Sequence, residues 1–303
     1  MTEQRFLSSE FSQYPPAYAA FHVIPVPFEF SVSYGGGTAG GPAAILAASN
    51  QLEVYDGYST PGEDGIYTHP PVDCSGTPET VFPRITKTVT EALSSGKDDP
   101  PVPIVLGGEH SITASAFAAV RRFFGDAEPV GLIQIDAHGD LRDEYEGSPD
   151  SHACVVRRIH ESCAVPVVQI GVRSLSPEEV IYRGTHGPDA VAPIVPFDAG
   201  EIVPAGTVEI PIPPSIPEKV YLTIDVDGLD PSIMPATGTP VPGGLGWYQT
   251  LQIIESIQRQ RELVAVDIVE LAPIPGQHAW EYTAAELAYR VMGIISRGRE
   301  ALR

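Results

Sequence analysis

The chain of 303 residues is poor in cysteine, in positive charge and in long apolar runs. Its three cysteines, Cys74, Cys154 and Cys163, are odd in number and widely spaced, so they form neither a disulfide framework nor a closed zinc site. Buried thiols are the expectation. Lysine and arginine total 18 against 39 aspartates and glutamates, a formal net charge of −21. Such a balance argues against nucleic acid as a partner, because neutralising phosphates takes clustered cations. It suits the encounter with small cationic molecules, and it serves equally to keep a protein in solution. No uncharged apolar stretch reaches the ~18 residues of a membrane span, and Met1–Glu10 lacks the basic-then-apolar order of a secretory leader. A soluble, cytoplasmic protein with no membrane partner is expected.

What the chain does have is 43% hydrophobic residues, gathered into short runs. These are "FHVIPVPF" (21–28), "PVPIVLGG" (101–108), "VGLIQIDAH" (130–138), "PVVQIGV" (166–172), "VAPIVPF" (191–197), "KVYLTIDVD" (219–227) and "LVAVDIVEL" (263–271). Nearly continuous Val, Ile and Leu is the pattern of strands covered on both faces in a parallel sheet. Segments of helical length and periodicity alternate with them, among them "PETVFPRITKTVTEALSSG" and "WYQTLQIIESIQRQRE". The alternation predicts an α/β fold with helices on both sides of one sheet. Proline-rich stretches at 69–83 and 203–217 read as long surface connections. One domain over residues 1–303 is expected, with residues 1–18 a candidate loosely ordered arm.

In open α/β sheets ligands bind beyond the carboxyl ends of the strands, so the residues after each apolar run are the informative ones. "IVLGG" is followed by Glu109 and His110, "LIQI" by Asp136, His138 and Asp140, "YLTI" by Asp225, Asp227 and Asp230, and "VDIV" by Glu270. Buried without partners, each of these would carry a large desolvation penalty, and metal ions are the economical partners. Two imidazoles and four carboxylates without a thiolate suit manganese, with nickel, cobalt or zinc also open. Six ligands exceed one tetrahedral site but satisfy two ions bridged by carboxylates, a pair able to activate a water molecule. Plainer readings exist for each motif alone: Asp140 capping a helix, Asp230 before Pro231 making a turn, His110 as a hydrogen-bonded core residue, Glu270 pairing with Arg173.

The blocks "GGEHS" (107–111), "DAHGD" (136–140), "DVDGLDPSIMPATGTPVPGG" (225–244) and "DIVEL" (267–271) resemble, in order, the signature blocks of the ureohydrolases, the arginase and agmatinase family. "SYGGGTAGGPAAIL" resembles that family's early glycine-rich segment, so the likeness spans roughly residues 20 to 300. The resemblance implies a three-layer α/β/α sandwich around a mostly parallel eight-stranded sheet, and a homotrimer or homohexamer. It implies two manganese ions, one held by His110, Asp136, Asp140 and Asp225, the other by Asp136, His138, Asp225 and Asp227. It further implies that Glu270 binds the substrate's guanidinium and that His152 transfers protons, with Asp140 close to the chemistry. Thr239, inside the longest block, is a further candidate for substrate contact.

Arginases carry an asparagine two residues after the "DAHxD" block where this chain has Arg142. "LRDEYEGSPDSHACVVRRI" instead resembles the shorter agmatinase-type members. A small cationic guanidino substrate, agmatine or aminopropylagmatine, is therefore expected. If Arg142 faces the pocket it would attract a carboxylate, as in guanidinobutyrate, guanidinopropionate or arginine. The favoured placement is instead a surface pair with Asp143 or Glu144. A formimino substrate such as formiminoglutamate, and a non-catalytic binding relative, are the remaining alternatives. The segments 140–151 and 176–190 are expected to shape the mouth of the site.

Overall fold

A computed structural model describes residues 4–302. All seven apolar runs become strands, because Val, Ile and Leu at successive positions serve a backbone buried on both sides. With the intervening short strand they are β1 (Phe21–Val26), β2 (Ile66–Thr68), β3 (Val102–Gly107), β4 (Val130–Ile135), β5 (Val167–Ile170), β6 (Ile194–Phe197), β7 (Lys219–Asp225) and β8 (Glu262–Val269). They form one sheet in the order β2-β1-β3-β8-β7-β4-β5-β6, with every pair parallel. The helices are α1 (Gly41–Ser49), α2 (Pro78–Leu93), α3 (Thr113–Phe124), α4 (Val155–Cys163), α5 (Pro177–Thr185), α6 (Ala199–Ile202), α7 (Trp247–Gln260) and α8 (Ala279–Leu302).

Alternate strand residues enter two separate cores. Val23, Ile104, Val266, Leu222, Ile133 and Val168 form one row across six neighbouring strands and pack with residues of α1, α7 and α8. Their sequence neighbours Ile24, Val105, Ala265, Tyr221, Leu132 and Val167 face the other way, onto α2, α3 and α4. Two cores on opposite faces of one sheet make the three expected layers. On the α2–α4 face the next row toward the strand ends is polar and fully buried: Asp267, Thr223, Gln134 and Gln169 are register partners in turn across β8, β7, β4 and β5.

Several expectations need correction. The proline-rich stretch 69–83 is a connection only as far as Thr77, since α2 starts at Pro78, where a missing N–H costs nothing in the first turn. Residues 203–217 do connect α6 to β7 but are not merely superficial: Ile210, Ile212 and Ile216 are buried, and Ile210 N–H donates to Ser256 Oγ at 3.1 Å. The first described residues are no loose arm, because Phe6 and Leu7 are buried and their N–H groups donate to Thr68 Oγ1 and Ser49 Oγ. Residues 1–3 lie outside the described residues. Cys154 is buried and Cys74 half-buried; the side chain of Cys163 is again outside the described ones. Among the described residues no helix is long and apolar enough to cross a membrane.

Leu222 sits at the centre of the apolar row with no exposed surface. Leu222→Ala should destabilise the fold by about 2–5 kcal/mol through lost burial and the cavity left behind. Denaturant unfolding of the purified variant checks this; a loss under about 1 kcal/mol would mean that the two cores are not close-packed at the sheet centre.

Candidate metal centre

The four strands that end in unusual polar residues, β3, β8, β7 and β4, are consecutive neighbours in the middle of the sheet. Their carboxyl ends therefore deliver His110, Glu270, Asp225 and Asp136 to one place, although 160 residues separate the first two. Chain connectivity reverses at this point, since β3 and β4 follow each other in sequence but lie on either side of β8 and β7. Such a switch point opens the crevice in which α/β sheets bind ligands.

His110 Nδ1 lies 3.0 Å from Asp140 Oδ2, 3.2 Å from Asp136 Oδ2 and 3.5 Å from Asp225 Oδ2. His138 Nδ1 lies 2.9 Å from Asp227 Oδ2 and 3.7 Å from Asp136 Oδ1. Asp136 thus turns one oxygen to each imidazole. Two groups, His110 with Asp136 and Asp140, and Asp136 with His138 and Asp227, each bring their donor atoms within 4.8 Å of one another. Asp225 stands beside His110 on Oδ2, while its Oδ1 accepts the Asp227 N–H at 2.8 Å. The six residues singled out in the sequence as ligands converge.

Electrostatics explains what this arrangement lacks. Asp136, Asp140, Asp225, Asp227 and Glu270 are all buried. Burial, then the neighbouring Asp136, pushes the Asp140 carboxyl up to about 7, and burial pushes Glu270 up to about 8. Asp225 is raised by burial and by Asp227 and Asp136. Burial opposes the charge of His138, but hydrogen bonds with Asp136 and Asp227 prevail and pull it up to about 12. Carboxylates that resist ionising together, and imidazoles drawn into serving as cations, form a site short of positive charge. His110 Nδ1 is buried without a hydrogen-bond partner of good geometry, though three carboxylate oxygens surround it. Such an orphan is costly unless a cation occupies the space between the donors, and this imidazole and carboxylate set fits divalent ions.

Backbone strain accompanies the cluster. Asp140 and Glu270 adopt left-handed conformations, φ 52° and 64°, which disfavour residues with a Cβ. Glu270 is held there by its N–H to Gly108 O, 2.8 Å, and by its Oε1, which accepts the His110 N–H at 2.6 Å. Arg173 is not its partner; that guanidinium donates to the carbonyls of Gly171, Asp227 and Val241.

Above the cluster opens a cavity of about 290 Å³, lined among others by Tyr34, Arg142, Tyr145, His152, Thr239 and Glu270. His152 is tied down by Ser31, whose Oγ lies 3.0 Å from its N–H and 3.1 Å from Nδ1, and its ring meets Tyr145 edge-on. Burial lowers its pKa below the ordinary histidine value, against the pull of Glu109. Arg142 does not form the expected surface pair. It faces the cavity with its guanidinium 5.0 Å over the Tyr145 ring, while Asp143 is taken by Arg157 and Arg158. From 176–190 only the start of α5 reaches the cavity, through Ser176 and Glu179, whose capping box also anchors the Leu141 N–H.

Sequence reasoning passed over one wall of the cavity. Val32, Ser33 and Tyr34 form one cavity wall, held by Glu109, which accepts the N–H groups of Phe30 and Ser31 and the Ser111 hydroxyl. The available signal was a pair of glycine-containing loops. A Cβ on Gly35 would meet Gly238 O at 2.9 Å, so the wall and the Thr239 loop touch only because both residues are glycine.

The model of the arginase family matches residues 19–293. An N(1)-aminopropylagmatine ureohydrolase of Synechocystis sp. is 38% identical over 296 residues, covering 96% of this chain and 93% of that protein. An agmatinase of Pyrococcus horikoshii is 34% identical, covering 92% of this chain and 93% of its own. The solved agmatine ureohydrolase of Thermoplasma volcanium superposes with a TM-score of 0.80 at 27% identity, over 99% of this chain and 97% of its own.

Because the buried carboxylates repel one another, a divalent cation that binds only the folded state should stabilise it. At a free concentration 100 times its Kd, manganese should add about 2.7 kcal/mol, raising Tm by roughly 5 °C. Differential scanning calorimetry with manganese and with chelator reads this directly, and superimposable curves would contradict the site's need for a cation.

Proposed function

The chain belongs to the arginase family, and on that premise we propose that this hydrolase of linear amidines splits agmatine, or aminopropylagmatine, into urea and a polyamine. The observation that carries the reading is the pair of imidazoles facing a shared Asp136 beneath an acidic cavity. His110, Asp136, Asp140 and Asp225 would hold one manganese ion, and Asp136, His138, Asp225 and Asp227 the other. Bound there, two divalent cations supply Lewis acidity and a water acidic enough to attack at neutral pH.

The protein's own groups do the rest. A guanidinium is planar and resonance-stabilised, so it must be oriented as well as attacked. Glu270 Oε1 is fixed by the His110 N–H, which leaves Oε2 to receive guanidinium N–H groups and set the carbon over the cluster. Thr239 and the Tyr34 wall confine the linear tail. Water oxygen joins the guanidino carbon, the bond to the alkyl nitrogen breaks, and that nitrogen leaves as an amine. His152, with Nδ1 engaged by Ser31, moves the proton to it at Nε2. We place the protein in the cytoplasm as a homotrimer or homohexamer, the assemblies common in the family.

One observation favours a second reading. Arg142 at the cavity wall would welcome a carboxylate, as in guanidinobutyrate, guanidinopropionate, arginine or formiminoglutamate. Manganese-loaded protein should release urea from agmatine or aminopropylagmatine in preference to arginine and guanidinobutyrate. Turnover of the acids alone would replace the first reading by the second. Asp227→Ala should cost at least about 100-fold in urea release, in line with removal of a preorganised electrostatic group. Full activity in that variant removes the two-ion mechanism. His152→Asn should lower kcat by about 100-fold or more while KM changes little, the signature of a proton-transfer residue. An effect confined to KM would make His152 a binding residue only.

A further inference from the structure

Opposite its cation-facing Nδ1, the His110 ring meets a buried hydroxyl, and beside that hydroxyl lies a carboxylate that the mechanism above does not use. His110 Nε2 lies 2.7 Å from Thr223 Oγ1. Thr223 on β7 is the register partner of Asp267 on β8, and both side chains belong to the polar row on the α2–α4 face. Asp267 has no exposed surface. Its Oδ2 accepts the hydroxyls of Tyr221 and Thr113, each at 2.7 Å. Its Oδ1 has no hydrogen-bond partner, although Thr223, its register partner, brings a hydroxyl to the same buried row; burial raises the Asp267 carboxyl, opposed by His110 and by these hydroxyls.

A carboxylate buried among hydroxyls, rather than beside arginine or lysine, needs a reason to be there. The hydrogen-bond inventory supplies one. An ionised Asp267 would only accept, its unpartnered Oδ1 would be the place for the single Thr223 proton, and Thr223 Oγ1 would then be an acceptor toward His110. The Nε2 of His110 must carry the ring proton, and Nδ1 is left with its lone pair directed at the space enclosed by Asp136, Asp140 and Asp225. His138 differs: its ring meets Asp227 and Asp136 through Nδ1, on the cation side.

We propose that Asp267, acting through Thr223, is a positioning residue that fixes the tautomer and orientation of His110 and so sets the affinity of the His110-side ion selectively. The inference rests on the two-ion reading above. Carboxylate support behind a ligating imidazole commonly governs affinity by about 10–100-fold. The alternative is that Asp267 only braces β7 against β8.

Isothermal titration of the metal-stripped full-length protein with manganese chloride separates these. The wild type should take up two ions. Thr223→Val and Asp267→Asn should keep one at wild-type affinity and bind the other about 10–100-fold more weakly. Thr223→Ser, which keeps the relay, should restore it. At a manganese concentration that fills both wild-type sites, electron paramagnetic resonance should show a spin-coupled pair in the wild type and an isolated ion in Thr223→Val. Tyr221→Phe removes a bond to Asp267 without touching the path to His110, so it should lower Tm but keep both ions. Should Asp267→Asn fail to fold, the Thr223 variants carry the test. Normal loading of both sites in Thr223→Val, or equal weakening by Tyr221→Phe, overturns the proposal alone. A wild type that binds no manganese overturns the two-ion reading and the proposal with it.

Discussion

Five carboxylates buried together at the ends of adjacent strands impose the constraint to which the rest of the molecule is fitted. Placed in a low-dielectric interior they repel one another and forfeit hydration, which no hydrogen-bond network of neutral groups fully offsets. Asp140 and Glu270, raised to about 7 and about 8, show the site resisting full ionisation without a cation. The same two residues carry left-handed backbone, a strain of order 1–3 kcal/mol each that persists only where the surroundings enforce it. Unfavourable charge and unfavourable backbone thus coincide at the residues that face the cavity, and the extensive apolar packing on both faces of the sheet holds them in place.

The sheet order gives that packing its use. Because β8 and β7 are inserted between β3 and β4, four chain segments distant in sequence end side by side. Beneath their ends the polar row Asp267, Thr223, Gln134 and Gln169 links the floor of the site into the α2–α4 side of the sheet. Gln134 donates to Asp136 Oδ2 at 2.7 Å, Gln169 donates to Gln134, and Arg183 donates to Gln169 while gripping Asp198. A buried polar row interrupts what would otherwise be apolar core and lowers its contribution to stability. In exchange it fixes where each ligating oxygen and nitrogen points, which a layer of valines could not do.

Legibility in the sequence divided along the same line. Long Val, Ile and Leu runs announced seven strands because burial on both faces leaves little compositional freedom. β2 stayed hidden: a strand of three residues, Ile66–Thr68, is too short a run to stand out, and it exists because it pairs with β1. His110, Asp136, His138, Asp140, Asp225, Asp227 and Glu270 were conspicuous because polar residues directly after such runs are costly. Glu109 looked the same and serves another end, clasping the loop that bears Ser31, since residue type at a strand end does not say which way the side chain turns. Arg142 was misplaced for a related reason. Neighbouring acids suggested a surface pair, but Arg157 and Arg158, one turn into α4, reach Asp143 first. Competition among side chains from different segments is a tertiary matter that spacing alone does not encode.

The charge balance of the proposed site bears on the tail of the substrate. With two divalent ions in place, five ionised carboxylates would retain one net negative charge and the ionised attacking water would add a second, so a single guanidinium would neutralise half of it. Little of that cluster's charge then remains to attract a second cation, and Arg142 at the wall opposes one. The stack of Arg142 on Tyr145 alters this locally, because a guanidinium lying over a ring is held by it and is less available to a ligand. Tyr34, largely exposed at the mouth, offers its own ring face to a passing ammonium. The fixed acidity of the surface, a net charge of −21, adds a field that draws cations to the mouth and weakens with salt. A polyamine-type tail is therefore best accommodated extended toward solvent, past Arg142, with its far charge outside the cavity. A carboxylate tail would be better served by folding back onto that arginine.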